Sequence, residues 1–259
     1  MTGHTALLEL RGLDVAIGGR RVCEGLELRL DAGQAWAVLG PNGVGKTTLL
    51  HTLAGLRAPA AGEIRWGGRP LAQWPRRALA RQVGVLFQQP EAGFPSRVRE
   101  TVLAGRHPHL GRWGWESAAD LAAADAALAA TGLARLTDRL LHTLSGGERR
   151  RVDIATLLAQ DPVCALLDEP GNHLDLAALL RMLDLLHGRF TAPGRALVAV
   201  MHDPGTALRY CSHLLLLPGD GRWQAGPAAR LGDAGHLSAL YGHPLVRLTG
   251  PAGPVFAPR

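Results

Sequence analysis

Residues 5–30 alternate apolar and polar positions: Leu8, Leu10, Leu13, Val15 and Ile17, then Leu26, Leu28 and Leu30, with Gly18-Gly19 between the two sets. A period of two broken by a glycine pair predicts a half-buried β-hairpin. The next run, Ala35–Leu39, is apolar throughout, which predicts a short strand covered on both faces. Residues 46–54 then take on helical character and stop at Gly55. Residues 62–66, closed by Gly67-Gly68, predict a second turn-and-strand element, and 82–87 another core strand.

Between about residues 90 and 143 the pattern changes to helical, with predicted helices over 98–104 and 117–130, the second Ala-rich and ending at Thr131-Gly132. Apolar runs at 163–167 and 196–201 predict buried parallel strands, and the Gly/Pro-rich stretch from Pro218 reads as a closing tail. No internal repeat or low-complexity segment is present. The expected fold is α/β, with an N-terminal antiparallel β layer, a core of parallel strands and an inserted α-helical subdomain.

Composition agrees. A chain of 259 residues, 47% hydrophobic and only 5% aromatic, can bury a large core and suits α/β better than a β-sandwich. The formal charge of +6 invites a nucleic-acid partner, but the arginines are scattered rather than clustered. Solubility, or attraction to an acidic partner or membrane surface, accounts for the charge instead. Cys23, Cys164 and Cys211 are odd in number and lack metal-ligand spacing, so reduced thiols in a cytosolic protein are expected. Met1-Thr2-Gly3-His4-Thr5 has no signal-peptide character, and the apolar runs at 196–201 and 214–217 are too short to cross a bilayer.

Lys46 is the only lysine among 28 lysines and arginines. It closes Gly40-Pro41-Asn42-Gly43-Val44-Gly45-Lys46-Thr47-Thr48, the G-x-x-x-x-G-K-[ST] spacing of a phosphate-binding loop. Glycines let backbone N–H groups wrap phosphates, a compact ammonium reaches the β- and γ-phosphates, and Thr47 offers a hydroxyl to Mg²⁺. Residues 163–169 are an apolar strand ending in Asp168 and Glu169. Beside a phosphate loop, Asp168 can hold Mg²⁺ through water and Glu169 can polarise the attacking water. In Leu144-Ser145-Gly146-Gly147-Glu148, Ser145 and Glu148 have the spacing of a capping box. Gly146 and Gly147 leave that helix start bare enough to face an anion, most economically on another subunit's nucleotide.

The ordered set GPNGVGKT, Gln88, LSGGE, LLDE, Asp175 and His202 resembles the nucleotide-binding subunit of ATP-binding cassette (ABC) transporters, over about residues 5–245. The resemblance implies a P-loop NTPase core of the ABC ATPase type, formed by 5–89 and 144–245, with 90–143 as the helical subdomain and 246–259 as a C-terminal tail. It also implies ATP and Mg as ligands, and a head-to-tail homodimer that sandwiches two ATP molecules. Residues 40–48 of one subunit would cradle each ATP, and Ser145, Gly146 and Gly147 of the other would cover it. Gln88, or the adjacent Gln89, would approach Mg and the attacking water; Gln88 fits better because it follows the apolar strand directly. Asp175 would bridge the subunits and His202 would bind the γ-phosphate. Ile17 stands where the family usually stacks an aromatic on adenine; Gly171 replaces a common Thr or Ser, and Pro204 interrupts the segment after His202.

Within that family, Phe94-Pro95-Ser96-Arg97-Val98 and Gly105-Arg106-His107-Pro108-His109-Leu110-Gly111 resemble the ATPases that energise uptake of ferric siderophores, haem and cobalamin. That resemblance implies two separate membrane-spanning permease subunits, an indirect link to a periplasmic or surface substrate-binding protein, and a place on the cytoplasmic face of the cell membrane. Another cargo, or a non-transport ABC ATPase acting on nucleic acid, is the alternative. No nucleic-acid partner is expected, because zinc motifs, a long coiled coil and a second cassette are missing. His107 and His109 read as a surface turn rather than a metal site, while Trp113 and Trp115 could meet a partner or cover the helical core.

Overall fold

The computed structural model describes residues 6–88, 95–111, 114–250 and 253–259. Gln89, Phe94 and Trp113 lie outside the described residues. Strands β1 (Leu8–Ile17) and β2 (Arg20–Leu30) form the expected hairpin, and β3 (Ala35–Leu39) runs through the phosphate loop into α1 (Lys46–Leu53). Next, β4 (Ala61–Trp66) and β5 (Arg69–Pro70) complete a four-stranded antiparallel sheet in the order β2-β1-β4-β5. Trp66 is buried and its indole donates to Leu53 O, which ties β4 to the end of α1.

The chain continues through α2 (Arg76–Gln82), β6 (Val83–Leu86), α3 (Val98–Ala104), α4 (Ala118–Ala130) and α5 (Gly146–Gln160). Then come β7 (Cys164–Asp168), α6 (Leu176–Phe190), β8 (Ala196–Val200), α7 (Pro204–Tyr210), β9 (His213–Leu216) and β10 (Gln224–Pro227). A six-stranded sheet, β10-β9-β3-β8-β7-β6, is parallel except for its edge strand β10. Every residue of β3, β7 and β8 is buried, as their unbroken apolar runs require. One face of this sheet packs on α1 and the antiparallel layer through Leu49, Leu50 and Leu10, the other on α6 through Leu183, Leu186 and Phe190.

A third cluster, Val98, Val102, Ala124, Leu128, Val152 and Ala155, joins α3 and α4 to one face of α5. Here Arg106 pairs with Asp120 at 2.9 Å and also donates to Ala159 O, so one guanidinium links the three helices. Hydrogen bonds from Ser117, at the N-cap of α4, and then from Arg106 hold the Asp120 carboxyl down at about 2.

Two expectations are corrected. The stretch from Pro218, read as a closing tail, is built of regular elements: it contains β10, α8 (Ala228–Leu231), α9 (Ala234–Tyr241) and a hairpin of β11 (Leu245–Gly250) and β12 (Gly253–Pro258). Its prolines and glycines are punctuation, with Pro227 preceding α8 and Gly242 adopting the left-handed cap of α9. Pro204 does not interrupt a segment but opens α7 at its first position, where the missing N–H costs nothing, behind an Asp203 cap that accepts from Thr206 N. Among the described residues no helix is long and apolar enough to cross a membrane.

Candidate functional site

Strands β3, β6, β7 and β8 all release their chains at the same end of the parallel sheet, where such folds collect ligands. The register does the rest. Leu86 lies opposite Leu167 and Asp168 opposite Val200, so Gln88, Glu169 and His202 leave the sheet side by side. The phosphate loop leaves β3 next to them. Ile17, Asn42, Gly43, Gly45, Lys46, Thr47, Thr48, Gln88, Glu169 and His202 line one cleft of about 460 Å³.

The loop depends on two glycines. A Cβ on Gly40 would lie 2.3 Å from Leu217 O, and Gly45, at φ 102°, starts α1 in a conformation that L side chains rarely adopt. Among the described residues no side chain caps α1, so its first N–H groups face the cleft. Lys46 is 6% exposed and arches back over the loop, donating to Gly40 O at 2.7 Å and Pro41 O at 2.9 Å. Burial pushes its pKa below the usual lysine value against the pull of Glu169 and Asp168.

Asp168 is completely buried, and neither carboxylate oxygen has a hydrogen-bond partner among the described residues. Burial drives its pKa up, opposed by the nearby Thr47 hydroxyl and reinforced by Glu169. An orphaned buried carboxylate beside a hydroxyl is a donor set that fits a hard divalent cation. Glu169 is the reverse case. Its Oε1 accepts from His202 Nε2 at 2.6 Å, and its Oε2 accepts from Gln88 at 2.9 Å and from Asn172 at 2.8 Å. Burial acts to raise the Glu169 carboxyl, but the bonds from Asn172, His202 and Gln88 outweigh it and hold the pKa below the usual value.

The remaining candidates sit outside this cleft. Ser145 Oγ accepts from Glu148 N while Glu148 Oε2 accepts from Ser145 N at 2.8 Å, which realises the capping box at the start of α5. A Cβ on Gly147 would come 3.0 Å from His173 O, so that helix start packs against the 171–175 turn. Asp175 caps α6 by accepting from Ala178 N. Among the described residues no group of three or more His, Cys, Asp and Glu side chains is placed to hold a metal. His107–His109 form a short 3-10 turn, with His109 Nε2 bonded to Gln160 O, and Trp115 is 90% exposed rather than part of the helical core. The three cysteines are buried and free.

A family model described as ABC transporter matches residues 23–172, more than half of the chain. The chain belongs to the ABC transporter family. As an ATPase of that family it binds and hydrolyses ATP. It is 39% identical over 260 residues to the hemin import ATP-binding protein of Myxococcus xanthus (strain DK1622), covering 97% of this chain and 96% of that one. It is 39% identical over 220 residues to the ferric enterobactin transport ATP-binding protein of Escherichia coli (strain K12), covering 84% and 80%. A solved ABC transporter assigned to the metal-chelate type, in an inward-facing conformation, superposes with a TM-score of 0.84 at 27% identity over 98% of both chains.

Two residues of this ABC ATPase escaped the sequence reading. Asn172 holds the Glu169 carboxylate from within a turn whose only legible signal was its place three residues after the glutamate. Arg150 is buried at 3% exposure, the middle member of three consecutive arginines. Helical phase was its available signal: it lies four residues before Ile154 and seven before Leu157, both in the sheet-facing core.

Proposed function

We propose that this chain is the ATP-hydrolysing subunit of an importer for a metal chelate (haem, a ferric siderophore or cobalamin) and works on the cytoplasmic face of the cell membrane against two permease subunits. The hemin and ferric enterobactin import functions of its relatives support that cargo class. The observation that carries the enzymatic part is the convergence of Gln88, His202 and Asn172 on one ionised glutamate at the mouth of a phosphate loop.

In this reading Gly40, Pro41, Asn42, Gly43, Val44, Gly45, Thr47 and Thr48 wrap the phosphates, and Lys46 exchanges its two loop carbonyls for β- and γ-phosphate oxygens. Thr47, Gln88 and Asp168 would hold Mg, which when bound would neutralise charge on the phosphates. Glu169 is kept ionised by its three donors, so it can accept hydrogen from a water lined up on the γ-phosphate. His202 and Gln88 orient that carboxylate from opposite oxygens, and His202 would also reach the γ-phosphate. Ile17, 41% exposed at the cleft mouth, offers the adenine an apolar contact.

Ser145, Gly146 and Gly147 lie outside the cleft of their own chain, which supports a role on the ATP of a second copy arranged head to tail, with Asp175 at the junction. Hydrolysis then follows closure of that dimer. The core unit comprises 5–89 and 144–245 and the helical unit 90–143. A test is uptake of labelled haem, ferric siderophore and cobalamin in cells deleted for this gene and complemented with wild type or Glu169→Gln. Loss of one uptake, restored by wild type only, is expected; unchanged uptake of all three would overturn the cargo class.

A further inference from the structure

Arg150 has no part in the roles assigned so far, and its environment is unusual for a cation. Among the described residues, all its hydrogen bonds go to backbone carbonyls: Nε donates to Pro170 O at 3.2 Å, Nη2 to Asp168 O at 2.8 Å and Glu169 O at 2.7 Å, and Nη1 to Phe87 O. A buried guanidinium is costly unless every donor is satisfied, and an uncharged side chain could fill the same space. The partners are the last residue before Gln88 and three consecutive carbonyls around Glu169. Glu169 itself sits at φ 48°, a strained backbone for a residue with a side chain, which persists only where its surroundings over-determine it. The fork of Arg150 grips the carbonyls on both sides of that residue.

We propose that Arg150 is a positioning residue that couples the Ser145–Gly147 helix start to the catalytic carboxylate of the same chain. Arg150 stands just past the first turn of α5, so a shift of that helix start carries the guanidinium with it. The guanidinium then moves the backbone of Glu169 and of the residue before Gln88 together. This rests on the two-chain reading: when α5 of one chain closes on its partner's ATP, the closure is registered at that chain's own Glu169 and Gln88. Each site thereby reports its occupancy to the other.

The experiment uses the full chain with Arg150→Met and Arg150→Lys, reading kcat, KM and the Hill coefficient for ATP. ATP-dependent dimer mass is read in parallel, in a Glu169→Gln background with and without the Arg150 changes. Arg150→Met is expected to lower kcat by about 100-fold, the scale of a small misplacement of a catalytic group, with KM within about threefold and the Hill coefficient falling toward 1. Arg150→Lys keeps the charge but loses the fork, so it should recover part of kcat, on the order of tenfold. If Arg150→Met fails to fold, Arg150→Lys and Arg150→Gln show the same separation of kcat from KM. A normal dimer with unchanged kcat and Hill coefficient in the folded Arg150 variants would overturn the coupling alone. Absence of an ATP-dependent dimer in Glu169→Gln chains with Arg150 intact would overturn the two-chain reading and the coupling with it.

Discussion

Replacing Glu169 by glutamine separates its chemistry from its architecture. The Oε2 side receives two donors, from Gln88 and Asn172, and the Oε1 side one, from His202. A glutamine can keep its carbonyl toward the first pair and turn its NH₂ toward His202, whose ring nitrogen accepts in the neutral tautomer. Every hydrogen bond at the site then survives, and the fold should lose less than about 1 kcal/mol. What disappears is the proton acceptor. Its usual worth is roughly 10²–10⁴-fold, or about 3–5 kcal/mol of barrier. Glu169→Gln should therefore show a melting temperature and an ATP Kd close to wild type, with kcat reduced by about that factor. Glu169→Ala should lose rate and stability together, because two amide donors and a histidine lose their acceptor. The assay is steady-state phosphate release at saturating ATP, beside a nucleotide-binding titration and a thermal melt. Turnover of Glu169→Gln within about threefold of wild type would refute the assignment of Glu169 as the base.

Gly40→Ala would place a methyl 2.3 Å from Leu217 O, so a loss of about 1–3 kcal/mol and weaker ATP binding should appear in a thermal melt and a binding titration. Burial raises the half-buried Asp153 carboxyl to about 6, against the pull of Arg150 and Arg149. The folded state therefore binds more protons than the unfolded one between about pH 4 and 6, and stability falls as pH rises through that window. Asp153→Asn should raise the melting temperature at pH 7.5, by the equivalent of about 1–2 kcal/mol after solvent screening, with the gain vanishing below about pH 4. Ile17→Tyr adds a stacking ring at the mouth of the cleft and should tighten ATP binding about fivefold, measured as Kd.

The parts of the site that reside in contiguous sequence were legible. The loop around Lys46 needs its glycines, lysine and threonine at fixed spacing, and the strand before Asp168 needs an unbroken apolar run. The capping box of Ser145 and Glu148 and the helix Val98–Ala104 formed as their local chemistry predicts. What required folding was convergence. Gln88 and Glu169 are 81 residues apart and meet only because β6 and β7 are neighbours in register. Helical phase marks Arg150 as the inward member of the three consecutive arginines, but its partners, the carbonyls around Glu169, come together only in the fold. The helix Leu176–Phe190 had a legible start signal in Asp175, which resembles a subunit bridge and in its own chain is also the N-cap. The C-terminal hairpin was hidden by prolines and glycines that are turns and caps of ordered elements.

If one working site is built from two chains, mixing two inactive variants restores it. Lys46→Ala removes the phosphate loop's charge, and Ser145→Arg blocks the helix start of α5; each should be inactive alone. In a mixed dimer, the loop of the Ser145→Arg chain faces the intact helix start of the Lys46→Ala chain, so one complete site is restored. The account predicts that an equimolar mixture recovers ATP turnover and an ATP-dependent dimer, with about a quarter of the wild-type rate as the ceiling for random pairing and less where the blocked α5 slows Glu169 of its own chain. A mixture that neither turns over ATP nor forms an ATP-dependent dimer would contradict it, because a blocked α5 can slow the restored site through Arg150 but leaves its assembly intact.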